Sequence, residues 1–246
     1  MDRVVVFGAT SAIAAEVAAL YAERGDALHL VGRNGDKLEA LAARLESARP
    51  QTTQADLDDL AANERLVWRV IEQLGGADVV FIAHGYLGDQ LTSEHNLSEA
   101  EQIIRTNFTS PVSLLIPIAN HFSDTKNGRL GVITSVAAER GRPRNYTYGA
   151  SKAGLNTYLQ GVRSRLHASG TSVTTIKLGP VDTPMTIDHP KNPFFAKPAG
   201  VAREIVAALD AKRAEVFVPK RWSVIMPVVK NTPEVLFQRL PFLSGR

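Results

Sequence analysis

Short apolar runs alternate with longer amphipathic stretches along most of the 246 residues of this chain. This alternation is typical of βα units, in which each strand of a parallel sheet is followed by a helix that covers one face of the sheet. Strands buried on both faces read as continuous runs of Val, Ile and Leu. The chain is therefore expected to form a doubly wound α/β domain with a parallel seven-stranded sheet. The predicted strands are Val4–Phe7, Leu28–Val31, a weaker one near Thr52–Gln54, Val79–Ile82, Leu130–Thr134, Val173–Leu178 and Val216–Val218.

The segments between these strands carry apolar residues at three- and four-residue spacing, which is the period of one helix face. Leu155, Leu159 and Val162 show this stripe. No repeat, low-complexity tract or linker interrupts the pattern, so residues 1–219 are predicted to form a single Rossmann-type domain, with residues 220–246 as a tail of the same domain. The predicted helices are Ala14–Arg24, Lys37–Ala48, Leu60–Leu74, Ile103–Phe122, Lys152–Ala168 and Ala199–Ala211.

Composition excludes several functional classes. The chain has no cysteine, which removes disulfides, thiolate metal sites and cysteine nucleophiles and fits a reducing compartment. No metal site is predicted. The net charge of +3 is too small to indicate a nucleic-acid partner. The first apolar run begins at Val4 without the features of a signal peptide, and no run is long enough to span a membrane. A cytoplasmic protein is therefore expected.

The turn after the first predicted strand has the composition of a phosphate-binding turn. Gly8 is followed by small residues and a predicted helix, whose free N–H groups and positive dipole end suit a pyrophosphate. Alanines at 12 and 14 replace the other two glycines of a Gly-x-x-x-Gly-x-Gly turn. Small residues would serve strand–helix packing equally well. The predicted contacts with a dinucleotide are Gly8, Thr10, Ser11, Ala12 and Ile13.

The second predicted strand ends in Gly32-Arg33. An NAD site places a carboxylate at this point to hold the adenosine ribose, whereas glycine followed by arginine leaves room and a cation for a 2′-phosphate. Arg33 therefore indicates NADP(H) as the cofactor, unless it is only a solvated side chain that opens the next helix. Asp56, just after the third strand, is placed to accept a hydrogen bond from the adenine amino group.

Tyr148 and Lys152 are four residues apart and fall on one face of a helix. A lysine ammonium beside a phenol favours the phenolate, so the pKa of Tyr148 is expected to lie below its usual ~10. Such a pair suits proton transfer, although a lone Tyr-x-x-x-Lys also occurs on ordinary surface helices. Two further residues strengthen the catalytic interpretation: Ser135 at the end of a predicted strand, and Asn107 in the preceding long helix.

In these residues the chain resembles the short-chain dehydrogenase/reductase superfamily, over residues 4–218. The family's catalytic tetrad matches Asn107, Ser135, Tyr148 and Lys152 in the same order. The resemblance implies hydride transfer with a nicotinamide cofactor, Tyr148 as general acid/base and Ser135 hydrogen-bonded to the substrate oxygen. Lys152 would hold the nicotinamide ribose, and Asn107 would hold a water of the proton relay. The resemblance also implies a homodimer or homotetramer formed through the helices that contain Asn107 and Tyr148.

The resemblance extends to further cofactor contacts. The family's Asn-Asn-Ala-Gly segment reads Ile82-Ala83-His84-Gly85 here, and Thr183 would contact the nicotinamide amide or a phosphate. His84 departs from the family pattern, and either a proton shuttle or a histidine packed beside the cofactor would account for it. The remaining cofactor contacts that the resemblance implies are Leu57, Ala83, Gly85, Tyr148, Lys152, Pro180 and Val181.

Within the superfamily the resemblance is strongest to the decaprenylphosphoryl-2-keto-ribose reductase group, which acts on a lipid-phosphate-linked keto-pentose. Matching stretches cover residues 82–89 and 139–155 and reach into the tail. Arg140, Arg142 and Arg144 lie between the predicted catalytic serine and tyrosine, where they would meet a substrate phosphate through charge-assisted hydrogen bonds. Solvated loop charges or subunit contacts would explain these arginines equally well.

Two other segments bear on the substrate. Four prolines in Thr183–Pro198 predict a mobile flap over the site instead of regular structure. The tail mixes basic and large apolar residues with a single acid, Glu234, and its prolines divide it into short amphipathic pieces. These pieces would lie on an anionic membrane surface or line a lipid channel, or else pack on their own domain or a partner subunit. The basic residues of the tail are Lys220, Arg221, Lys230, Arg239 and Arg246.

Three functional hypotheses follow. The first is an NADP(H)-dependent oxidoreductase that acts on the carbonyl of a small-molecule or lipid-linked substrate, with peripheral contact at the inner membrane face. The second is an ordinary cytosolic carbonyl or 3-oxoacyl reductase, in which the tail serves subunit contacts. The third is a non-catalytic protein that senses NADP(H), which the complete tetrad disfavours because a sensor does not need all four side chains.

Overall fold

The computed structural model describes residues 1–187 and 193–240. A seven-stranded sheet forms its centre. The strands are β1 (Arg3–Phe7), β2 (Ala27–Gly32), β3 (Gln51–Gln54), β4 (Val79–Ile82), β5 (Arg129–Ser135), β6 (Ser172–Leu178) and β7 (Glu215–Val218). Their order in the sheet is β3-β2-β1-β4-β5-β6-β7, and every neighbouring pair is parallel. The predicted doubly wound, Rossmann-type sheet is confirmed.

Helices connect the strands, with short 3-10 turns between some of them. The helices are α1 (Ala12–Glu23), α2 (Gly35–Arg44), α3 (Leu60–Gln73), α4 (Gln90–His95), α5 (Leu97–Ile104), α6 (Ser110–Thr125), α7 (Tyr146–Leu166), α8 (Pro198–Asp210), α9 (Trp222–Asn231) and α10 (Glu234–Arg239).

Two apolar cores lie on the two faces of the sheet. Val4 and Val6 of β1 face the core that α1 and α8 cover, while Val5 and Phe7 face the core that α3, α6 and α7 cover. Alternate side chains of a strand point to opposite faces, so a continuous apolar run buries both. This explains why the strand positions could be predicted from the sequence.

The chain turns in opposite directions along the sheet from β1 and from β4, which are neighbours. At such a reversal the connections diverge and leave a crevice at the carboxyl ends of the strands, where α/β proteins bind ligands. The loops after both strands meet there, because the N–H of Ala83 donates to the carbonyl of Phe7 over 2.9 Å. The crevice therefore lies beside the predicted phosphate-binding turn.

Two predicted helices differ from the structure. The predicted helix Ile103–Phe122 is divided, since α5 ends at Ile104 and a π-helical turn, Arg105–Thr109, precedes α6. The predicted helix that began at Lys152 in fact begins at Tyr146, so the catalytic tyrosine and lysine share α7.

The predicted flap contains short stretches of structure, and the tail forms two short helices. Pro184–Thr186 forms a 3-10 turn, and Val181 pairs with Ala196 in an isolated parallel bridge. The mobility of this segment stays a prediction, and residues 188–192 lie outside the described residues. The tail folds into α9 and α10, with residues 241–246 also outside them. None of the helices described is long and apolar enough to cross a membrane.

Candidate active site

The residues of the predicted tetrad meet at the carboxyl edge of the sheet. Ser135 ends β5, and its hydroxyl is close enough to Tyr148 of α7 to influence the pKa of the phenol. The Nζ atom of Lys152 lies 5.9 Å from the centre of the Tyr148 ring. A Cβ built on Gly85 would lie 3.0 Å from Oδ1 of Asn107 and 3.4 Å from Nζ of Lys152. Gly85 therefore lies beside both Asn107 and Lys152, and the residues of the predicted tetrad form a single cluster.

The electrostatics of the tyrosine differ from the prediction. Burial raises the pKa of Tyr148 to about 12, although its hydrogen bond with Ser135 acts in the opposite direction. The predicted decrease of the Tyr148 pKa is therefore wrong. Desolvation of the phenolate dominates, and Nζ of Lys152 lies 5.9 Å from the centre of the ring. A phenol that stays protonated through the neutral range is a proton donor, which is the form that carbonyl reduction requires.

Lys152 is buried, and some of its N–H groups have no acceptor among the described residues. Its side chain is 2% exposed, and burial lowers its pKa to about 8. Its only hydrogen bond to the described residues is a long one of 3.4 Å to the carbonyl of Ile133. A buried ammonium with unused N–H groups needs acceptors, and the hydroxyls of a nicotinamide ribose would supply them.

Asn107 braces the backbone at the site. It lies in the π-helical turn, not in a regular helix as predicted. Its Oδ1 accepts from the N–H of Tyr86 over 3.1 Å, and its Nδ2 donates to the carbonyls of Tyr86 and Ile103. π-helical turns of this kind are frequent at functional sites. The side chain therefore fixes the loop of Gly85 beside Lys152.

The turn after β1 has the geometry that a pyrophosphate requires. Gly8 has a φ of +76°, and the hydroxyl oxygen of Ser11 caps α1 by accepting from the N–H of Ala14 over 3.1 Å. Among the described residues, no acceptor meets the backbone N–H groups of Thr10, Ala12 and Ile13. Three free N–H groups at a helix N-terminus form a cradle for an anion, so the residues present fit a dinucleotide.

A family model for short chain dehydrogenases matches residues 2–193. The chain belongs to the short-chain dehydrogenase family. It is 33% identical over 241 residues to an uncharacterised oxidoreductase of Mycobacterium tuberculosis, covering 97% of this chain and 96% of the relative. It is 31% identical over 238 residues to an uncharacterised oxidoreductase of Streptomyces coelicolor, covering 96% of this chain and 94% of the relative. The protein is therefore an oxidoreductase of this family.

Solved structures agree on the fold. A protein described as a short chain dehydrogenase/reductase family protein superimposes with a TM-score of 0.79 at 25% identity, covering 88% of this chain and 94% of its own. Levodione reductase superimposes with a TM-score of 0.82 at 22% identity, covering 91% and 98%. An actinorhodin polyketide ketoreductase with NADPH gives 0.79 at 23% identity, covering 88% and 95%.

The residues predicted to bind the adenosine end of the cofactor follow β2 and β3. Arg33 is exposed directly after β2, and its side chain has no partner among the residues described; its carbonyl accepts from Nε2 of Gln54 over 3.1 Å. Asp56 is exposed after β3, where its Oδ1 accepts from the N–H of Asp58 over 3.0 Å. Leu57 is buried, and its carbonyl accepts from the hydroxyl of Ser110 over 2.6 Å. The two charged side chains remain accessible to a nucleotide, whereas Leu57 braces the loop.

His84 serves packing in the dehydrogenase. Its Nε2 lies 2.8 Å from Oγ of Ser110, whose own proton is donated to Leu57, so Nε2 carries the hydrogen. Its Nδ1 is buried without a partner among the described residues. Burial, followed by the charge of Lys152, lowers the pKa of His84 to about 3. A histidine that stays neutral at physiological pH cannot shuttle a proton efficiently, so the packing interpretation is favoured.

The segment after β6 closes the other side of the crevice. The N–H of Ala196 donates to the carbonyl of Pro180 over 3.0 Å, next to the bridge made by buried Val181. The N–H of Thr183 lies 3.3 Å from the hydroxyl oxygen of Thr186. These contacts hold the predicted cofactor residues at the same edge of the sheet as the tetrad.

The three arginines between Ser135 and Tyr148 have different surroundings. The guanidinium of Arg140 donates to the carbonyl of Val229 over 2.9 Å, pairs with Glu234 at 2.7 Å and lies 3.8 Å over the ring of Phe237. Arg144 is exposed. Arg142 is half-buried, and its only hydrogen bond to a described residue is a contact of 3.9 Å from Nη2 to the sulfur of Met226. Of the three arginines, Arg142 alone is both sheltered and without a carboxylate among residues 1–187 and 193–240.

The sequence analysis missed Trp222 as a residue of the site. Trp222 begins α9 and packs with Val136, the residue after the catalytic serine. It also covers Gly179, at which a Cβ would lie 1.9 Å from the indole nitrogen. The signal was the glycine after β6: a residue without a side chain there leaves room for a large ring. Through Trp222 the tail forms part of the wall beside the catalytic loop.

Proposed function

We propose that this short-chain dehydrogenase is an NADPH-dependent reductase of a carbonyl group. The observation that carries the proposal is the arrangement of the two ends of the crevice. One end brings Ser135, Tyr148 and Lys152 together, with Nζ of Lys152 5.9 Å from the centre of the Tyr148 ring. The other end presents Arg33 where an NAD-specific site needs a carboxylate. A cation at this position would bind the 2′-phosphate through charge-assisted hydrogen bonds.

The chain's residues have separable roles in the reaction. The bound nicotinamide supplies the hydride. The hydroxyls of Ser135 and Tyr148 would bind the carbonyl oxygen and stabilise the negative charge that develops on it. Tyr148 then donates its proton to that oxygen, and the ammonium of Lys152 stabilises the phenolate that remains.

For the substrate we propose a keto-sugar linked to a lipid phosphate. Half-buried Arg142 supports a phosphate next to the catalytic loop, because a sheltered guanidinium favours an anionic partner. The tail supports a lipid, since it combines buried packing residues with exposed Val224 and Val228. An ordinary carbonyl or 3-oxoacyl reductase would use the same tetrad, so the charge and length of accepted substrates decide between the two.

Substitution of Arg33 by alanine tests the cofactor. The wild-type protein should bind NADPH more tightly than NADH, and Arg33→Ala should weaken NADPH binding by about 1.5–3 kcal/mol, the scale of a hydrogen bond to a charged group. NADH binding should change little, because NADH has no 2′-phosphate. Calorimetric titration of both cofactors against both proteins measures the effect.

Arg65→Ala is the matched control, since Arg65 is exposed on α3 and its loss changes the net charge equally. The control should leave both affinities unchanged. Equal losses for NADPH and NADH in Arg33→Ala would show that Arg33 is merely structural, and NADP specificity would then be rejected.

A further inference from the structure

Two buried N–H donors in the wall between the catalytic loop and the tail find no acceptor among the described residues. One is Nε of Arg142, and the other is the indole Nε1 of Trp222. Both side chains neighbour Met226: Arg142 contacts its sulfur, and Trp222 lies one turn before it on the buried face of α9. Buried polar groups are normally hydrogen-bonded, so two donors without partners beside the same methionine need an explanation.

Among the described residues, no carboxylate forms an ion pair with Arg142. Two acids of this region are paired elsewhere, Glu139 with Lys177 at 2.5 Å and Glu234 with Arg140 at 2.7 Å. Burial of Arg142 without a counter-charge lowers its pKa, which measures the cost of the arrangement. A guanidinium remains charged nevertheless, so the wall offers donors and positive charge without an acceptor.

The wall lies next to the reacting groups. Trp222 packs on Val136, one residue after Ser135, and against Gly179 at the end of β6. Arg142 itself lies in the loop that joins Ser135 to α7. A group bound at this wall would belong to a substrate whose carbonyl reaches Ser135 and Tyr148.

We propose that Arg142 and Trp222 form an anion subsite, which binds a phosphate or carboxylate group of the carbonyl substrate. This inference rests on the proposed function and adds the chemical class of the substrate. Arg142 would donate charge-assisted hydrogen bonds, and the indole would donate one more. The subsite acts in substrate selection: an anionic oxygen satisfies both donors, whereas a neutral substrate leaves them unpaired.

The binding test uses the full-length protein saturated with NADPH, so that the pyrophosphate cradle is filled. Inorganic phosphate is titrated at constant ionic strength against chloride, with acetate as the carboxylate probe, and the melting temperature is recorded. Phosphate should raise the melting temperature of the wild type and of Arg144→Met. The increase should be lost in Arg142→Met and reduced in Trp222→Phe, which removes the N–H together with part of the indole ring. A response to phosphate without one to acetate would identify a phosphate subsite.

An equal increase in Arg142→Met and Arg144→Met, or no increase in the wild type, would overturn the subsite. A variant whose tail is unfolded cannot report the subsite, so each variant is first compared with the wild type by its melting temperature in chloride alone. A variant that melts like the wild type in chloride but ignores phosphate supports the subsite directly.

The activity test separates the subsite from the proposed function. Ketones are compared in pairs that differ only in a phosphate ester or a carboxylate. The wild type should favour the anionic member of a pair at least ~10-fold in kcat/KM, the scale of one charge-assisted hydrogen bond, and Arg142→Met should abolish the preference. An equal loss for both members would reject the subsite. No NADPH oxidation with any ketone would reject the proposed function, while the phosphate titration would still decide the subsite.

The opposite face of the tail carries a second, independent observation. Val224, Val228 and Val235 are 72%, 63% and 64% exposed, although Met226 and Val229 of the same segment are buried. The helices are thus apolar on both faces. Exposed apolar groups in a cluster mark a surface that binds a partner or a membrane.

The charge around this outer face favours an anionic lipid surface. Lys220, Arg221, Lys230 and Arg239 are exposed in the described tail, whose single acid, Glu234, already pairs with Arg140. We infer that the outer face of α9 and α10 lies on a bilayer that contains anionic lipids. Valines would insert between the headgroups while the cations meet their phosphates.

Co-sedimentation with vesicles tests this surface, using phosphatidylcholine alone and phosphatidylcholine mixed with phosphatidylglycerol. The protein should bind only the mixed vesicles, and binding should weaken in high salt. Val224→Asn and Arg239→Gln should each weaken binding, the latter roughly fivefold, which is the contribution of one cation near an anionic surface. Leu97→Asn is the control, because Leu97 is also 72% exposed but lies on α5.

Light scattering measures the mass of the same proteins in solution and tests the alternative that a second copy of the chain covers this face. If the wild type ignores the mixed vesicles at low salt, the lipid surface is rejected. If Val224→Asn lowers the mass of the particle and leaves vesicle binding unchanged, a second copy of the chain covers this face instead.

Discussion

Tyr148→Phe should lower kcat at least ~10²-fold and leave the fold and the affinity for NADPH unchanged, since positioned proton donors contribute on this scale. The substitution removes one hydroxyl and preserves the ring beside Lys152. Burial holds the pKa of Tyr148 at about 12, so the phenol is protonated and ready to donate at neutral pH. Without it, the developing alkoxide must take its proton from water, which is not positioned for the transfer.

Tyr146→Phe is the matched control. Tyr146 is 44% exposed at the start of the same helix, so loss of its hydroxyl should leave kcat unchanged. Single-turnover oxidation of NADPH measures the chemical step, and fluorescence titration measures cofactor binding. If Tyr148→Phe keeps most of the wild-type rate in a preparation free of other reductases, Tyr148 is not the proton donor.

Features that depend on local sequence could be predicted. Val4–Phe7 was recognisable as a strand because its residues alternate between two cores, each of which needs apolar side chains. Tyr148 and Lys152 could be assigned to one helix face because a four-residue spacing brings side chains together in any α-helix. The same reasoning placed Ser135 at the end of β5, since a strand's carboxyl end follows from where its apolar run stops.

Features that depend on distant contacts could not be predicted. The π-helical turn around Asn107 is supported by hydrogen bonds to the backbone of Tyr86, 21 residues away in sequence. Arg140 and Arg142 look equivalent in the sequence, yet within the described part of the chain only Arg140 meets a carboxylate, and that carboxylate belongs to Glu234, 94 residues later. Neighbouring like charges therefore acquire different roles through packing of the tail, which no local pattern encodes.

A second large effect is expected at the turn that faces the cofactor. Gly8 has a φ of +76°, and a Cβ at this position would lie 2.6 Å from the backbone nitrogen of His84. Gly25 has a φ of +78°, but a Cβ there would meet nothing within 4 Å. The two glycines therefore share the backbone conformation and differ only in the space around them, which makes Gly25→Ala a matched control for Gly8→Ala.

Gly25→Ala should cost about 1–2 kcal/mol of unfolding free energy, the strain of a left-handed conformation in a residue with a Cβ. Gly8→Ala should cost the same amount and a further ~1–3 kcal/mol of unfolding free energy. The additional cost arises because neither the backbone of residue 8 nor that of His84 can shift without moving the end of a strand. Urea unfolding of both variants measures the difference. Displacement of the turn would also misalign the free N–H groups of Thr10, Ala12 and Ile13, so NADPH affinity should fall in Gly8→Ala and persist in Gly25→Ala. If the two variants unfold at the same urea concentration and bind NADPH alike, the close packing of β1 against the loop after β4 does not shape the cofactor site.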